Sequence, residues 1–167
     1  MSGGCKSDQS PQTESEFIKE VFQVMAQDDY ELFKENFLPD LAFITQIEKA
    51  FTKLRGTPYN ETEAHNKYKI IQQNAPKLYK KLAWRKLEGA GSPQPIKIDW
   101  NDVLIKKITP KFHTLGDILG GELLVDITTR GIDCTIKFRS IYQIGNSHWK
   151  IMQYVDYLNC SNTPYHK

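Results

Sequence analysis

Residues 132 to 157 carry the pattern that most restricts the fold. Ile132, Cys134, Ile136, Phe138, Tyr142 and Ile144 alternate with Asp133, Thr135, Lys137, Arg139 and Gln143. A period of two marks an extended strand with one buried and one wet face. A second apolar set, Trp149, Ile151, Val155 and Tyr157, follows a polar stretch containing Gly145, Asn146 and Ser147. Both sets reach one face only when paired residue numbers sum to an odd value, and a two-residue turn at Gly145-Asn146 or Asn146-Ser147 provides that register. The spacing predicts a hairpin in which Phe138, Trp149 and Val155 look the same way.

In that register Ser140 and Gln153 interrupt the apolar face, opposite or diagonal to each other. Buried polar groups without partners cost about 1–3 kcal/mol each, so the two need mutual bonding, water or a ligand. Two expectations stand side by side. Either the pair satisfies itself in the core or at an open end of the sheet, or Ser140 and Gln153 belong to a ligand pocket walled by Tyr142 and Trp149. The same parity turns Cys134 inward and Cys160 outward, which predicts no disulfide between them unless a bulge or turn after Tyr157 brings them together. Unpaired, Cys134 acts as a small hydrophobe.

Upstream, the apolar period is helical. Thr13 or Ser15 caps a helix with Phe17, Ile18, Val21, Phe22, Val24 and Met25 on one broad stripe, ending near Gln27 or Asp28. Asp28 or Asp29 opens a short helix carrying Tyr30, Phe33 and Phe37, and Asp40 opens a third that Gly56-Thr57-Pro58 stops. A longer stretch from Thr62 includes Pro76, which predicts two helices or one kinked helix. The segment GAGSPQP at residues 89 to 95 then separates helical from strand periodicity. Strands are expected from Ile96 to Trp100 running into Val103 to Ile108, and from Glu122 to Thr129, ahead of the hairpin. The fold class is α+β, with N-terminal helices packed on a curved antiparallel sheet.

The chain has 167 residues, 40% of them hydrophobic, which suits one domain with one core. Residues 1 to 15 are small and polar and read as a tether, residues 16 to 160 as the domain, and residues 161 to 167 as a tail. A formal charge of +2 gives little long-range attraction for nucleic acid, so none is expected as a partner. No apolar run is long enough to span a bilayer. Three cysteines and four histidines lie too far apart for a metal site, and no cofactor is expected. Phosphate-loop, dinucleotide and common hydrolase motifs are absent.

Three weaker features complete the inventory. KFHTLGD places His113 and Asp117 on a loop between strands, where a general base could sit, though no nucleophile accompanies it. Lys77, Lys80, Lys81, Arg85 and Lys86 interleave with Leu78, Tyr79, Leu82 and Trp84, which fits either a patch for anionic lipid or nucleic acid or, favoured by the near-neutral whole, a solvated helix face whose stems cover apolar surface. Asn60-Glu61-Thr62 and Asn159-Cys160-Ser161 fit the glycosylation pattern.

Two resemblances add to this reading. Ser2-Gly3-Gly4-Cys5, followed by KSDQSPQTES, resembles the end of a bacterial lipobox and the tether of a mature lipoprotein. That likeness implies a lipid on Cys5, an apolar leader before it, and a place in the bacterial cell envelope, with the lipid as the one link to a membrane. FIKEVFQVMAQDDYELFKENF and IKFRSIYQIGNSHWKIMQYV resemble the opening helices and closing hairpin of the NTF2-like superfamily, which includes SnoaL-like and ketosteroid-isomerase-like proteins. The second likeness implies a cone-shaped cavity between helices and sheet and a face-to-face homodimer. Residues 59 to 95 have no counterpart in it, and none of the family's catalytic motifs falls on this chain; Asp126 and Asp133 sit on the wet face. The expected function is non-enzymatic binding of a small molecule or protein through Ser140, Tyr142, Trp149 and Gln153. The alternative is a cavity enzyme of isomerase or hydratase type with His113 or Tyr142 as acid or base.

Overall fold

A computed structural model describes residues 10–86 and 95–162. Helix α1, Glu14–Gln27, starts at Thr13, whose hydroxyl accepts from Glu16 N while the Glu16 carboxylate accepts from Thr13 N. This reciprocal cap satisfies two end donors that the helix cannot pair internally. Asp29 caps α2, Tyr30–Phe37, and Asp40 caps α3, Leu41–Arg55, each by accepting a backbone N–H three residues on. Gly56 ends α3 at φ 69°, a conformation that glycine adopts without a Cβ penalty. Helix α4, Glu61–Ala83, is continuous through Pro76. Pro76 is exposed, so the backbone bond it forfeits lies where water can replace it.

Strands β1, Trp84–Lys86, and β2, Pro95–Lys97, form a separate two-stranded ribbon. The strand expected to run on to Trp100 stops at Lys97, and Asp99 caps a short 3-10 turn at Trp100–Asp102. The main sheet is antiparallel, curved and unclosed. It comprises β3 (Val103–Leu115), β4 (Ile118–Thr129), β5 (Ile132–Ile144), β6 (Lys150–Ile151) and β7 (Val155–Asn162), with β6 and β7 both pairing β5. Gly116-Asp117 turns β3 into β4, and Arg130-Gly131, at φ 48° and 70°, turns β4 into β5. The loop expected to hold His113 is therefore strand, with Asp117 in the turn.

Bulges decide which face each residue takes. Gly121 pairs Ile141 and Leu123 pairs Phe138, so Arg139 and Ser140 together oppose Glu122. One extra residue inverts the alternation. Cys134, Ile136 and Phe138 face the main core before the bulge; Ile141 and Gln143 are buried after it, and Tyr142 and Ile144 pass to the opposite face. The single parity expected along this strand is thereby corrected. The turn is also longer than two residues: β5 ends at Ile144, β6 begins at Lys150, and the pairs Ile141↔Ile151 and Phe138↔Val155 belong to different registers. Phe138, Trp149 and Val155 nevertheless share one core.

A further bulge corrects the cysteine expectation. Asp133 pairs Ser161 and Thr135 pairs Leu158, leaving two residues of β7 opposite Cys134. The added residue brings Cys160 to the inner face, and the two cysteines form a disulfide with Cα atoms 4.2 Å apart.

The core between α1, α2 and the sheet is aromatic. Phe17 meets Phe37 and Phe138 edge-on at 6.0 and 5.8 Å between ring centroids, and Phe33 bridges Phe37 and Tyr79. A smaller cluster lies on the other face of the sheet, where Phe43 and Ile47 of α3 cover Ile118, Tyr142, Ile144 and Met152. Residues assigned to the tether also belong to the fold: buried Gln12 accepts from Trp149 N at its side chain and from Trp149 Nε1 and Gln143 Nε2 at its carbonyl, each at 2.9 Å.

Candidate functional site

Helices α3 and α4 run as a hairpin across the edge of the sheet where β6 gives way to β7. The seam leaves a cleft of about 550 Å³, within the range of small-molecule sites. Ile47 and Phe51 of α3, Ile70, Ile71 and Leu78 of α4, and Tyr142 and Met152 of the sheet form its apolar walls. Ile70 and Tyr154 remain 54% and 57% exposed at its mouth. Large apolar groups left in water beside a concavity are the expected mark of a binding surface.

The floor depends on a glycine. A Cβ at Gly120 would fall 2.1 Å from Tyr142 Cδ1, so only glycine lets the Tyr142 ring lie flat on β4. From there it meets Phe51 edge-on, with ring centroids 5.8 Å apart. The bulge at Arg139-Ser140 aims the Ser140 side chain toward the same cleft. Ser140 is 8% exposed and lines the cleft. Its carbonyl is already engaged by Met152 N at 2.8 Å.

Helices α3 and α4 also bring charge to the cleft. The Glu48 carboxylate is buried and accepts from Lys67 Nζ at 2.5 Å across the helix hairpin. Arg55 stands two helical turns from Glu48 on the same side of α3, and among the described residues its guanidinium bonds only the Phe51 carbonyl, at 3.3 Å through Nε. Beside the cleft, Lys81 and Arg139 converge on Asp156 and pin α4 to β7. The hydrogen bond from Lys81, then that from Arg139, hold the Asp156 carboxyl below the usual carboxylate range.

Of the residues singled out in the sequence, Ser140, Tyr142 and Gln153 line this cleft. Ser140 and Gln153 make no bond to each other; one is buried and the other exposed. Trp149 does not line it. It is 1% exposed on the opposite face of the sheet, its ring packed against Phe112 and its indole N–H donated to Gln12. The bulge separates it from Tyr142, because the two residues were assigned one face on an unbroken register. His113 is exposed on β3 and Asp117 on its turn, with no nucleophile brought to them. Tyr142 sits among apolar side chains. Asp126 and Asp133 bind Thr135 and Lys106 on the outer face. Cys5 lies outside the described residues.

The basic cluster is split: Lys77, Lys80 and Lys81 are exposed on α4, while Arg85 and Lys86 belong to β1. Among the described residues no group of three His, Cys, Asp or Glu side chains could hold a metal, and no helix is long and apolar enough to cross a membrane. The α3–α4 half of the cleft was missed in the sequence. Its trace there is Ile70, an apolar residue beside the stripe of Tyr68 and Ile71 that widens the apolar arc beyond what one neighbour covers.

Comparison with protein-family models, with curated proteins and with solved structures finds no match to this chain.

Proposed function

We propose that this protein is a non-enzymatic binding domain whose α3–α4 cleft takes a small, largely apolar molecule. The observation that carries the reading is the cleft itself: about 550 Å³ walled by Ile47, Phe51, Ile71, Leu78 and Tyr142, with Ile70 and Tyr154 left exposed at its mouth, the mostly apolar concavity with a few polar groups that small molecules occupy. Ser140 lines it, and a ligand polar atom would bond its hydroxyl while the apolar walls supply most of the affinity.

The cellular setting is part of the same proposal. A disulfide supports an oxidising compartment such as the bacterial envelope, where a lipid on Cys5 would tether the domain. Helices followed by an antiparallel meander support kinship with NTF2-like proteins, and that kinship carries the suggestion of a homodimer, which light scattering on the purified chain tests.

The cleft is tested with N-phenyl-1-naphthylamine, a neutral probe that fluoresces in apolar sites. Saturable binding is expected, weakened about tenfold by Ile70→Arg, since a charge at the exposed mouth obstructs and polarises the entrance. Binding that does not saturate, or that Ile70→Arg leaves unchanged, would falsify the reading.

A further inference from the structure

We infer that the ligand of this cleft is a single-chain amphiphile with one negative head group, a free alkyl carboxylate, held at its head by Arg55; the inference rests on the cleft reading above. Three charged side chains line the cleft: Glu48, Arg55 and Lys67. Glu48 is 5% exposed and spends its charge on Lys67 at 2.5 Å, so that pair offers a ligand no net field. Arg55 is exposed, and no carboxylate lies within 4.0 Å of it among the described residues. A guanidinium with its outer N–H groups unengaged is shaped for two parallel bonds to a carboxylate.

Position agrees with charge. Glu48, Phe51 and Arg55 lie along one side of α3, so a head at Arg55 directs its chain past Phe51 toward Tyr142, Met152 and Leu78. These are the apolar walls, and apart from Arg55 and the Glu48–Lys67 pair the polar groups that line the cleft, Asn74, Ser140 and Gln153 among them, are neutral. A cationic head would have to displace Lys67 from the buried Glu48 carboxylate. A doubly charged head would find Arg55 as the one cation without a carboxylate partner in the cleft among the described residues.

The test displaces N-phenyl-1-naphthylamine from the full chain with three probes of one chain length: decanoate, decanol and decyltrimethylammonium. Decanoate is expected to compete at least about tenfold more tightly than decanol, with the ammonium weakest. Arg55→Gln should bring the ratio of decanoate to decanol near one, and Arg55→Lys should keep part of it. Competition by decanol alone, equally by all three, or best by the ammonium overturns the assignment of the head group while the cleft reading stands. Failure of all three to displace bound naphthylamine overturns the amphiphile, and failure of naphthylamine itself to bind overturns both. Sedimentation with phosphatidylglycerol vesicles, without displacement by free decanoate, would identify a bilayer as the source of the negative head and refute the free carboxylate.

Discussion

Cutting the Cys134–Cys160 bridge should lower stability by an amount set mainly by the loop it closes. The two residues are 26 apart in sequence, and the chain-entropy relation for a loop of that size gives about 3.5 kcal/mol at 25 °C. For a chain of this length each kcal/mol moves the melting temperature by about 2–4 °C, so reduction should lower it by about 7–14 °C. Reduction by dithiothreitol isolates the cross-link. The double variant Cys134→Ala/Cys160→Ala should fall slightly further, because Cys134 is 3% exposed and its truncation also leaves a small void. Differential scanning calorimetry with and without reductant measures the change, and thiol titration of the denatured, unreduced chain checks its cause. Of three cysteines, two are bridged, so at most one should react. Three reactive thiols, or a melting temperature indifferent to reductant, would show that the β7 bulge does not bring Cys160 to the inner face.

Gln12→Ala removes the acceptor of the buried Trp149 backbone N–H and should cost about 1–3 kcal/mol; a loss below about 0.5 kcal/mol in urea unfolding would return this segment to the tether. Gly120→Ala places a methyl group inside the Tyr142 ring, so it should cost about 1–3 kcal/mol and weaken naphthylamine binding, whereas unchanged binding would remove Tyr142 from the floor. The folded Asp156 carboxyl titrates below its unfolded value, held there first by Lys81 and then by Arg139. Its stabilisation is therefore present above about pH 4 and lost as pH falls through the lower folded value. Asp156→Asn should lower the melting temperature near pH 7 and lower it less as the pH falls below about 4; an equal loss throughout would mean the pairs contribute no pH-dependent stability.

Local signals gave the elements because each end is set by a few neighbouring residues. Thr13, Asp29 and Asp40 cap the helices that their side chains suggest, and Gly56 ends α3 because φ 69° there suits glycine. The β3–β4 hairpin was legible too. Gly116-Asp117 is a two-residue turn signal between alternating strands, and reading KFHTLGD as a loop overlooked it. Continuity of α4 was less visible, since the cost of Pro76 depends on which side of the helix it occupies, and that is fixed by packing. Gln12 was hidden for a similar reason: a polar residue in a polar segment acquires its role only from Trp149 and Gln143, more than a hundred residues away.

The cleft was half legible, and the bulge at Arg139-Ser140 explains both the success and the failure. Alternation correctly marked Ser140 as a polar group in an apolar setting, since its neighbours on the strand require burial whichever face they take. Alternation could not say which face, because one inserted residue inverts every position beyond it. Glu122 opposite two residues, with Gly121 at φ 144° beside it, is the local geometry that admits the insertion. A flat, regular β5 would have sent Tyr142 into the aromatic core beside Trp149, and α3 would have had no apolar patch to cover on the far side of the sheet. With the bulge, Tyr142, Ile144 and Met152 face α3. β6 and β7 part between Ile151 and Val155, and Met152, Gln153 and Tyr154 from that gap line the cleft. The irregularity that defeats a periodic reading of the sequence is thus the feature that turns Tyr142 toward α3 and shapes the cleft there.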